Sequence, residues 1–146
     1  MNQLQNAVMA LDAIGVARPA DLQKAFEYGG QLQWLCHELA ARSGWWKEYD
    51  EMPEQYRKHF IGAKMALVHS EVSETVEGQR KGLMDSHLPH RSAEEVEMAD
   101  TIIRLLDIAG KHKLDVFGAI IEKLAYNQQR ADHKPENRAA EGGKGF

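Results

Sequence analysis

The sequence predicts an all-α protein, a helical bundle of about five helices, and three observations support this prediction. Apolar residues recur every three or four positions over long stretches, which is the period of an amphipathic helix. Residues typical of helix starts and ends bound these stretches. The alternating patterns and β-branched runs that are typical of strands are missing. The chain has 146 residues, the length of one ordinary domain, so we expect a single domain over residues 1–146.

The N-terminal part of the sequence predicts two helices. The first covers Leu4 to Ile14, within an N-terminal extension of residues 1–20 that ends at a Gly and an Arg-Pro pair. The second runs from about Asp21 to Arg42, and Gly44 stops it. The stretch GWWKEYDEM that follows is expected to form a loop or a turn.

The third predicted helix is the longest. It begins near Pro53, a favourable first-turn residue, and ends at Lys81 because Gly82 closes it. Its apolar residues form a stripe: Ile61, Met65, Val68, Val72 and Val76. Glu71 and Glu74 are expected to lie at the flank of this stripe.

The fourth predicted helix opens with a capping box formed by Ser92 and Glu95. It is apolar over a wide arc, through Ala99, Ile102, Ile103, Leu106 and Ala109. Such an arc is typical of a central buried helix, and also of a helix that packs on a second subunit, which is the interpretation we favour. A fifth helix is predicted from about Asp115 to Arg130, and residues 131–146 are expected to form an irregular basic tail.

The composition excludes several classes of protein. The formal net charge of −4, with acidic and basic residues interspersed, gives no sign of nucleic-acid binding. We expect no membrane span, because no run of about 18 apolar residues occurs. The N-terminus lacks the basic region and the cleavage site of a signal peptide. The single cysteine, Cys36, cannot form a disulfide or a zinc cluster within one chain, which fits a cytoplasmic protein.

Four carboxylates in two helical pairs are the main functional signal. Glu71 and Glu74 lie on the third predicted helix, and Glu97 and Asp100 lie on the fourth. The i, i+3 spacing places both members of a pair on one face of a helix. Each pair alone is also typical of a solvated helix face, and Glu97 and Asp100 continue into a charged stripe that ends at Asp107. The first pair, however, lies among apolar and small residues, and the loop between the helices is short enough for antiparallel packing. Together the four groups predict a site for a hard cation, Mg²⁺, with Mn²⁺ able to substitute.

The two pairs, ExxE followed by ExxD, resemble the motif of the MazG-like, all-α nucleoside triphosphate pyrophosphohydrolases. The resemblance extends from about Trp45 to Phe146 and includes the segments SEVSETVEGQRKG, EMADTIIRLLDIAG and EKLAYNQQRADHKPENR. It is greatest for the small, stand-alone members of bacteria and phages, which have a similar GGKGF ending. The first forty residues lie outside it.

The resemblance implies both a fold and an activity. The fold is a bundle that forms a homodimer or a dimer of dimers. The activity is Mg²⁺-dependent cleavage of a nucleoside triphosphate, such as a deoxynucleoside triphosphate, to the monophosphate and pyrophosphate. Carried over to this sequence, the metal ligands are Glu71, Glu74, Glu97 and Asp100.

The remaining candidates concern the substrate. Glu74 is our first candidate for the group that orients or deprotonates the attacking water, although the sequence barely separates the four carboxylates. The resemblance assigns phosphate and sugar contacts to a polar stripe on the fifth predicted helix, formed by Lys123, Asn127 and Arg130; a solvated helix end explains that stripe equally well.

Lys64 lies two turns before Glu71 and is expected either to form an ion pair with a carboxylate or to contact phosphate. Trp46 or its neighbour Trp45 is expected to lie near the base, although Trp46 also fits a core position.

Other classes of function fit less well or remain open. A di-iron carboxylate bundle needs Glu-x-x-His repeats, and no glutamate in this chain has a histidine three residues later. The HExxH motif of zinc peptidases is also incomplete, because the residue expected to be its second histidine is alanine. A non-catalytic helical oligomeric interaction module and a nucleotide sensor without turnover remain alternatives to the enzyme.

Overall fold

The structure is a computed structural model that describes residues 2–131 and residue 134. The described residues are all-helical, without a strand among them, and contain six helices. These are α1 (Gln3–Ala13), α2 (Pro19–Arg42), α3 (Lys47–Glu51), α4 (Glu54–Lys81), α5 (Ala93–Lys111) and α6 (Val116–Gln129). The all-α prediction is therefore confirmed. The predicted basic tail, residues 131–146, lies outside the described residues except for Ala131 and Lys134.

Local signals in the sequence set the ends of the helices. Asn2 caps α1 and forms a reciprocal capping box with Gln5. Gly82 ends α4 with a φ of 60°, a left-handed conformation that favours glycine. The Ser92 side chain accepts a hydrogen bond from Glu95 N, which caps α5 as predicted.

The segment between Gly44 and Pro53 differs from the prediction. It contains a short helix, α3, in place of a loop or a turn. Trp46 precedes this helix without a side-chain cap, so the usual start signal is absent there. Packing of Trp46 and Tyr49, with ring centroids 5.3 Å apart, accompanies the extra helical turn.

The described residues divide into two compact units, and the single domain over residues 1–146 stays a prediction. The first unit combines residues up to Gly30 with those from Asp115 onward, and the second extends from Gln31 to Leu114. In the first unit, α1 packs against α6 around a small cluster of buried residues: Ala7, Leu11, Leu22, Ile121 and Ala125. Gly29 allows the Phe117 ring to pack closely against the backbone of α2, because a Cβ at position 29 would lie 2.2 Å from that ring.

The second unit is built mainly on the pair formed by α4 and α5. Three contacts, at three levels along the helices, show that the pair is antiparallel: a Cβ on Gly78 would lie 3.0 Å from Ala93 Cβ, Glu71 pairs with Arg104, and Lys64 pairs with Asp107. The three α4 positions are seven residues apart, so they lie on one face, two turns from each other. The contact surface between α4 and α5 therefore contains two ion pairs in addition to the apolar cluster that includes Val68 and Ile108.

The apolar stripes of α4 and α5 are only partly buried within one chain. On α4, Val68 is buried, but Val72 and Val76 are 46% and 59% exposed. On α5, Leu106 and Ala109 are buried, whereas Ile102 and Ile103 remain about half exposed (51% and 46%). The packing of α5 on a second subunit, the interpretation that we favoured from the sequence, stays a prediction.

Within residues 2–131, no helix combines the length and the apolar character needed to cross a membrane.

Candidate metal centre and adjoining cavity

Three carboxylates from two helices meet between α4 and α5. Glu71 of α4 and Glu97 and Asp100 of α5 each place an oxygen within 4.8 Å of the other two. The i, i+3 spacing puts Glu97 and Asp100 on the same face of α5, and the antiparallel packing brings that face onto Glu71. Glu71 is only 7% exposed.

Burial and mutual repulsion raise the pKa values of two of these carboxyls. The pKa of Glu97 is raised by burial, by a hydrogen bond with Glu71 and by the negative charges around it. The pKa of Asp100 is raised by burial and by the charge of Glu71, while the positive charge of Arg104 opposes this effect. A shared proton or a cation would relieve the repulsion.

Glu74, the fourth predicted ligand, lies outside this group of three. It is exposed, and its Oε1 accepts a hydrogen bond from Ser70 Oγ at 3.1 Å. Its charge contributes to the raised pKa values of Glu97 and Asp100. The i, i+3 rule placed Glu74 on the same side of α4 as Glu71, but the rule does not specify how far each side chain projects towards α5.

Arg104 forms an ion pair with one of the three carboxylates, Glu71. Its Nη2 lies 2.7 Å from Glu71 Oε1, and Arg104 follows Asp100 by about one helical turn. The side chain is 41% exposed, yet its Nε atom is buried and has no hydrogen-bond partner among the described residues. From the sequence, Arg104 was only a supporting or surface charge.

Asp107 is a buried acceptor rather than a surface charge. Its Oδ1 accepts a hydrogen bond from Trp46 Nε1 at 2.6 Å and lies 3.0 Å from His37 Nδ1. Its Oδ2 lies 3.2 Å from Lys64 Nζ, which also stands 4.1 Å from the centre of the Trp46 ring. We name Asp107, Trp46, His37 and Lys64 the Asp107 network. The spacing in the sequence could have indicated this network. Lys64 precedes Glu71 by seven residues and Asp107 follows Asp100 by seven, so each lies two turns from a residue of the carboxylate group.

The Asp107 network resolves two open points of the sequence analysis. Lys64 forms the ion pair with a carboxylate that was one of its two predicted roles. Trp46 is 2% exposed and belongs to a core with Val68 and Ile108, so within this chain it has no open face for a base. Trp45, in contrast, is 68% exposed.

A cavity of about 560 Å³ adjoins the three carboxylates. Its walls are mostly apolar, and its charged side chains are Asp100 of the carboxylate group, Lys64 and Asp107 of the Asp107 network, and also Glu48 and Arg104. The lining residues are Ala40, Gly44, Trp45, Glu48, Phe60, Ala63, Lys64, Leu67, Asp100, Ile103, Arg104, Asp107 and Ile108. Asp100 therefore belongs to both the carboxylate group and the cavity wall.

The predicted phosphate-binding stripe lies on α6, in the other unit. Lys123 Nζ stands 4.6 Å from the centre of the Tyr126 ring. Asn127 has a buried Oδ1 without a hydrogen-bond partner among the described residues. Arg130 follows the last residue of α6 as its C-terminal cap. Lys123 and Asn127 thus lie about one turn apart on α6, whereas Arg130 has an extended backbone beyond the end of the helix. The part of the three residues in substrate binding stays a prediction.

Comparisons of the chain with protein-family models, with curated proteins and with solved structures found no match. The resemblance to the MazG-like enzymes therefore stays a prediction from the sequence.

The donor set fits a hard divalent cation. All three groups supply carboxylate oxygens, which Mg²⁺ and Mn²⁺ prefer, and the set contains no sulfur or imidazole ligand. Among the residues that the structure describes, one guanidinium forms an ion pair with the three acidic groups, so an added cation would be favoured electrostatically. The arrangement can thus hold a metal ion at one end of a cavity that has room for an organic ligand.

Proposed function

We propose that this protein is a MazG-like, Mg²⁺-dependent pyrophosphohydrolase that cleaves a nucleoside triphosphate, such as a deoxynucleoside triphosphate, to the monophosphate and pyrophosphate. One observation carries the proposal: three carboxylates converge beside a cavity of about 560 Å³ that shares Asp100 with them. A cavity of this size lies within the usual range for small-molecule sites, roughly 300–1,000 Å³. A triphosphate bridges such a pair of features, because its phosphates need a metal and its nucleoside needs a pocket.

In this proposal, Glu71, Glu97 and Asp100 hold the ion. A bound Mg²⁺ supplies charge neutralisation at the phosphate oxygens and lowers the pKa of a water molecule. Glu74 stays our candidate for orienting that water, because its carboxylate is exposed and near enough to influence the pKa values of Glu97 and Asp100. The Ser70 hydroxyl, which donates to Glu74 Oε1, would fix the orientation of this carboxylate.

The nucleoside occupies the cavity in this proposal. Trp45 is the aromatic residue available for stacking on the base, since Trp46 is buried and its indole N–H is engaged by Asp107. Lys64 lines the same cavity and is held by Asp107, so it can present an N–H donor to the substrate. Lys123, Asn127 and Arg130 remain candidates for phosphate and sugar contacts by resemblance only.

We also propose that the protein is a homo-oligomer, a dimer or a tetramer, in which a second copy covers the exposed apolar residues of α4 and α5. Val72, Val76, Ile102 and Ile103 are each about half exposed, although they lie on long helices with an apolar pattern. A two-fold axis would bring this apolar surface onto its own copy, and four helices would then enclose an apolar core.

Sedimentation equilibrium tests the oligomer. We expect the wild type to be a dimer or larger, and Val76→Asp combined with Ile102→Asp to be a monomer. The control is Tyr56→Asp, a change at an exposed residue of α4 outside this surface. A monomeric wild type, or a double variant with unchanged mass, would exclude this arrangement.

The activity is tested by pyrophosphate release from canonical and modified triphosphates with Mg²⁺. We expect Glu97→Gln to lower kcat/KM by at least about a hundredfold, because it removes one of the three acidic ligands. The matched control is Glu95→Gln, a change on the same helix at an exposed residue outside the group of three. Equal kcat/KM values in these two variants would contradict the proposed activity. A wild type that releases no pyrophosphate from any triphosphate would also contradict it.

A non-catalytic helical module is the alternative, and the exposed apolar residues favour it equally. Calorimetric titration with Mn²⁺ separates the two, because the module has no need of a metal. A nucleotide sensor would bind both Mn²⁺ and a triphosphate but release no pyrophosphate.

A further inference from the structure

Arg104 lies where the three carboxylates meet the cavity. It pairs with Glu71 on one side and belongs to the cavity wall on the other. It is close enough to Asp100 for its charge to act on that carboxyl as well. No role beyond a supporting charge follows from its position in the sequence.

The bonding of Arg104 is incomplete. A guanidinium carries five N–H donors, and in this structure one terminal nitrogen is engaged by Glu71 Oε1. The Nε atom is buried and, among the described residues, nothing accepts its hydrogen bond. A buried unsatisfied donor is costly, so a ligand that supplies an acceptor there gains free energy. The side chain is also partly exposed, which leaves it room to reorient.

Arg104 and a metal ion compete for the same carboxylate. The guanidinium contacts Glu71 Oε1, and Glu71 is one of the three groups that would hold the ion. An ion bound to Glu71 would weaken the ion pair between Glu71 and Arg104. The N–H donors of Arg104 would then be available to another acceptor. Phosphate oxygens of a ligand in the cavity could accept these hydrogen bonds. The planar guanidinium can bind two phosphate oxygens at once.

We propose that Arg104 is a switch residue that neutralises Glu71 in the metal-free protein and turns to the substrate phosphates once the metal is bound. This inference rests on the proposed function, since it assumes a metal and a phosphorylated ligand. In this proposal, Arg104 is a phosphate-binding residue on α5, next to the metal ligands. In the metal-free site, it is the counter-ion of Glu71.

The test compares two affinities in the same variants, both by calorimetry. The first titrant is Mn²⁺ alone. The second is the set of α,β-methylene deoxynucleoside triphosphates carrying each of the four bases, in saturating Mg²⁺. The variants are Arg104→Gln, Arg104→Lys and a control, Arg80→Gln, which removes a guanidinium from an exposed i, i+3 ion pair with Glu77 on α4.

For Arg104→Gln we expect opposite changes in the two affinities. Mn²⁺ should bind about two- to fivefold more tightly, the scale of one partly exposed ion pair that no longer competes. The nucleotide analogues should bind about ten- to a hundredfold more weakly, the scale of charge-assisted hydrogen bonds. Arg104→Lys should recover part of the analogue binding, because it restores the charge without the fork. Arg80→Gln should change neither affinity.

Each other outcome is informative. If the wild type binds neither Mn²⁺ nor any analogue, the proposed function itself fails. If the wild type binds both Mn²⁺ and an analogue, the Arg104 variants then test the switch separately from the proposed function. Weaker Mn²⁺ binding in Arg104→Gln would show that Arg104 merely supports the fold of the site and would overturn the switch, as would unchanged analogue binding. Should Arg104→Gln not fold, Arg104→Lys decides, because the switch requires weaker analogue binding without weaker Mn²⁺ binding.

Discussion

Replacing Asp107 by asparagine tests how far the Asp107 network stabilises the second unit. The substitution preserves the shape of the side chain and one carbonyl oxygen but removes the negative charge. Lys64, whose side chain is 16% exposed, then lacks its anion, and Trp46 Nε1 and His37 Nδ1 retain a weaker acceptor. Asp107 itself is only 7% exposed, so water cannot readily take its place.

The expected loss of stability follows from these contacts. Hydrogen bonds to a charged group contribute about 1.5–3 kcal/mol and neutral ones about 1 kcal/mol, and the three contacts on one carboxylate are not additive. We therefore expect Asp107→Asn to lower the free energy of unfolding by about 2–3 kcal/mol. For a chain of this length, that corresponds to a fall in Tm of roughly 5–10 °C. Asp107→Ala should cost about 3–5 kcal/mol, because it leaves a buried ammonium unpaired.

The assay is urea and thermal unfolding followed by circular dichroism in metal-free buffer. The matched control is Asp50→Asn, since Asp50 also pairs with a lysine, Lys111, but is 58% exposed. We expect that change to cost less than about 1 kcal/mol. Lys64→Met combined with Asp107→Asn should cost less than the two single changes added together, because they remove two partners of one pair. Asp107→Asn should lower the free energy of unfolding by more than Asp50→Asn does, and an equal or smaller effect would refute this prediction. Strictly additive effects of Lys64→Met and Asp107→Asn would also refute it.

Three further predictions concern packing, pH and the cavity. Gly78→Ala should lower the free energy of unfolding by about 1–3 kcal/mol, because its Cβ would lie 2.9 Å from a backbone nitrogen of α5. Gly62→Ala in the same helix meets nothing within 4 Å and should stabilise by up to about 1 kcal/mol; equal urea midpoints for the two variants would contradict this. The pKa values of Glu97 and Asp100 are raised in the folded protein, so their contribution favours folding at low pH and is lost as the pH rises through the raised values. Glu97→Gln should therefore gain more stability over the metal-free wild type at pH 7 than at pH 5, and thermal melts that show the reverse order would remove the repulsion argument. Trp45→Ala should raise KM about tenfold through lost stacking without a change in Tm, and an unchanged KM would remove Trp45 from the base site.

The helices were predictable because their signals are local. Gly82 ends α4 and Ser92 caps α5 through contacts with residues a few positions away. The spacing of Glu97 and Asp100 likewise places them on one face of α5 whatever that face meets. The short helix α3 escaped prediction, because no side chain caps its start.

The partners of the polar residues were not predictable in the same way. A periodic pattern shows that α4 has an apolar stripe and an acidic pair, but not which of them faces α5. The close packing of Gly78 on Ala93 accompanies the register in which Glu71 meets Arg104 and Lys64 meets Asp107. For the same reason Glu74, equivalent to Glu71 by spacing, remains exposed.

The amino-acid sequence by itself determined the all-α class, the ends of the long helices and the presence of two acidic pairs. Each of these follows from interactions within a few turns of one helix, where backbone geometry sets the neighbours. Tertiary structure alone decided that three of the four carboxylates converge, that Asp107 is buried and that Arg104 opposes Glu71. Such contacts join residues that are far apart in the sequence, up to 70 positions for His37 and Asp107. They depend on which faces pack together, a balance of burial and desolvation that no local pattern specifies.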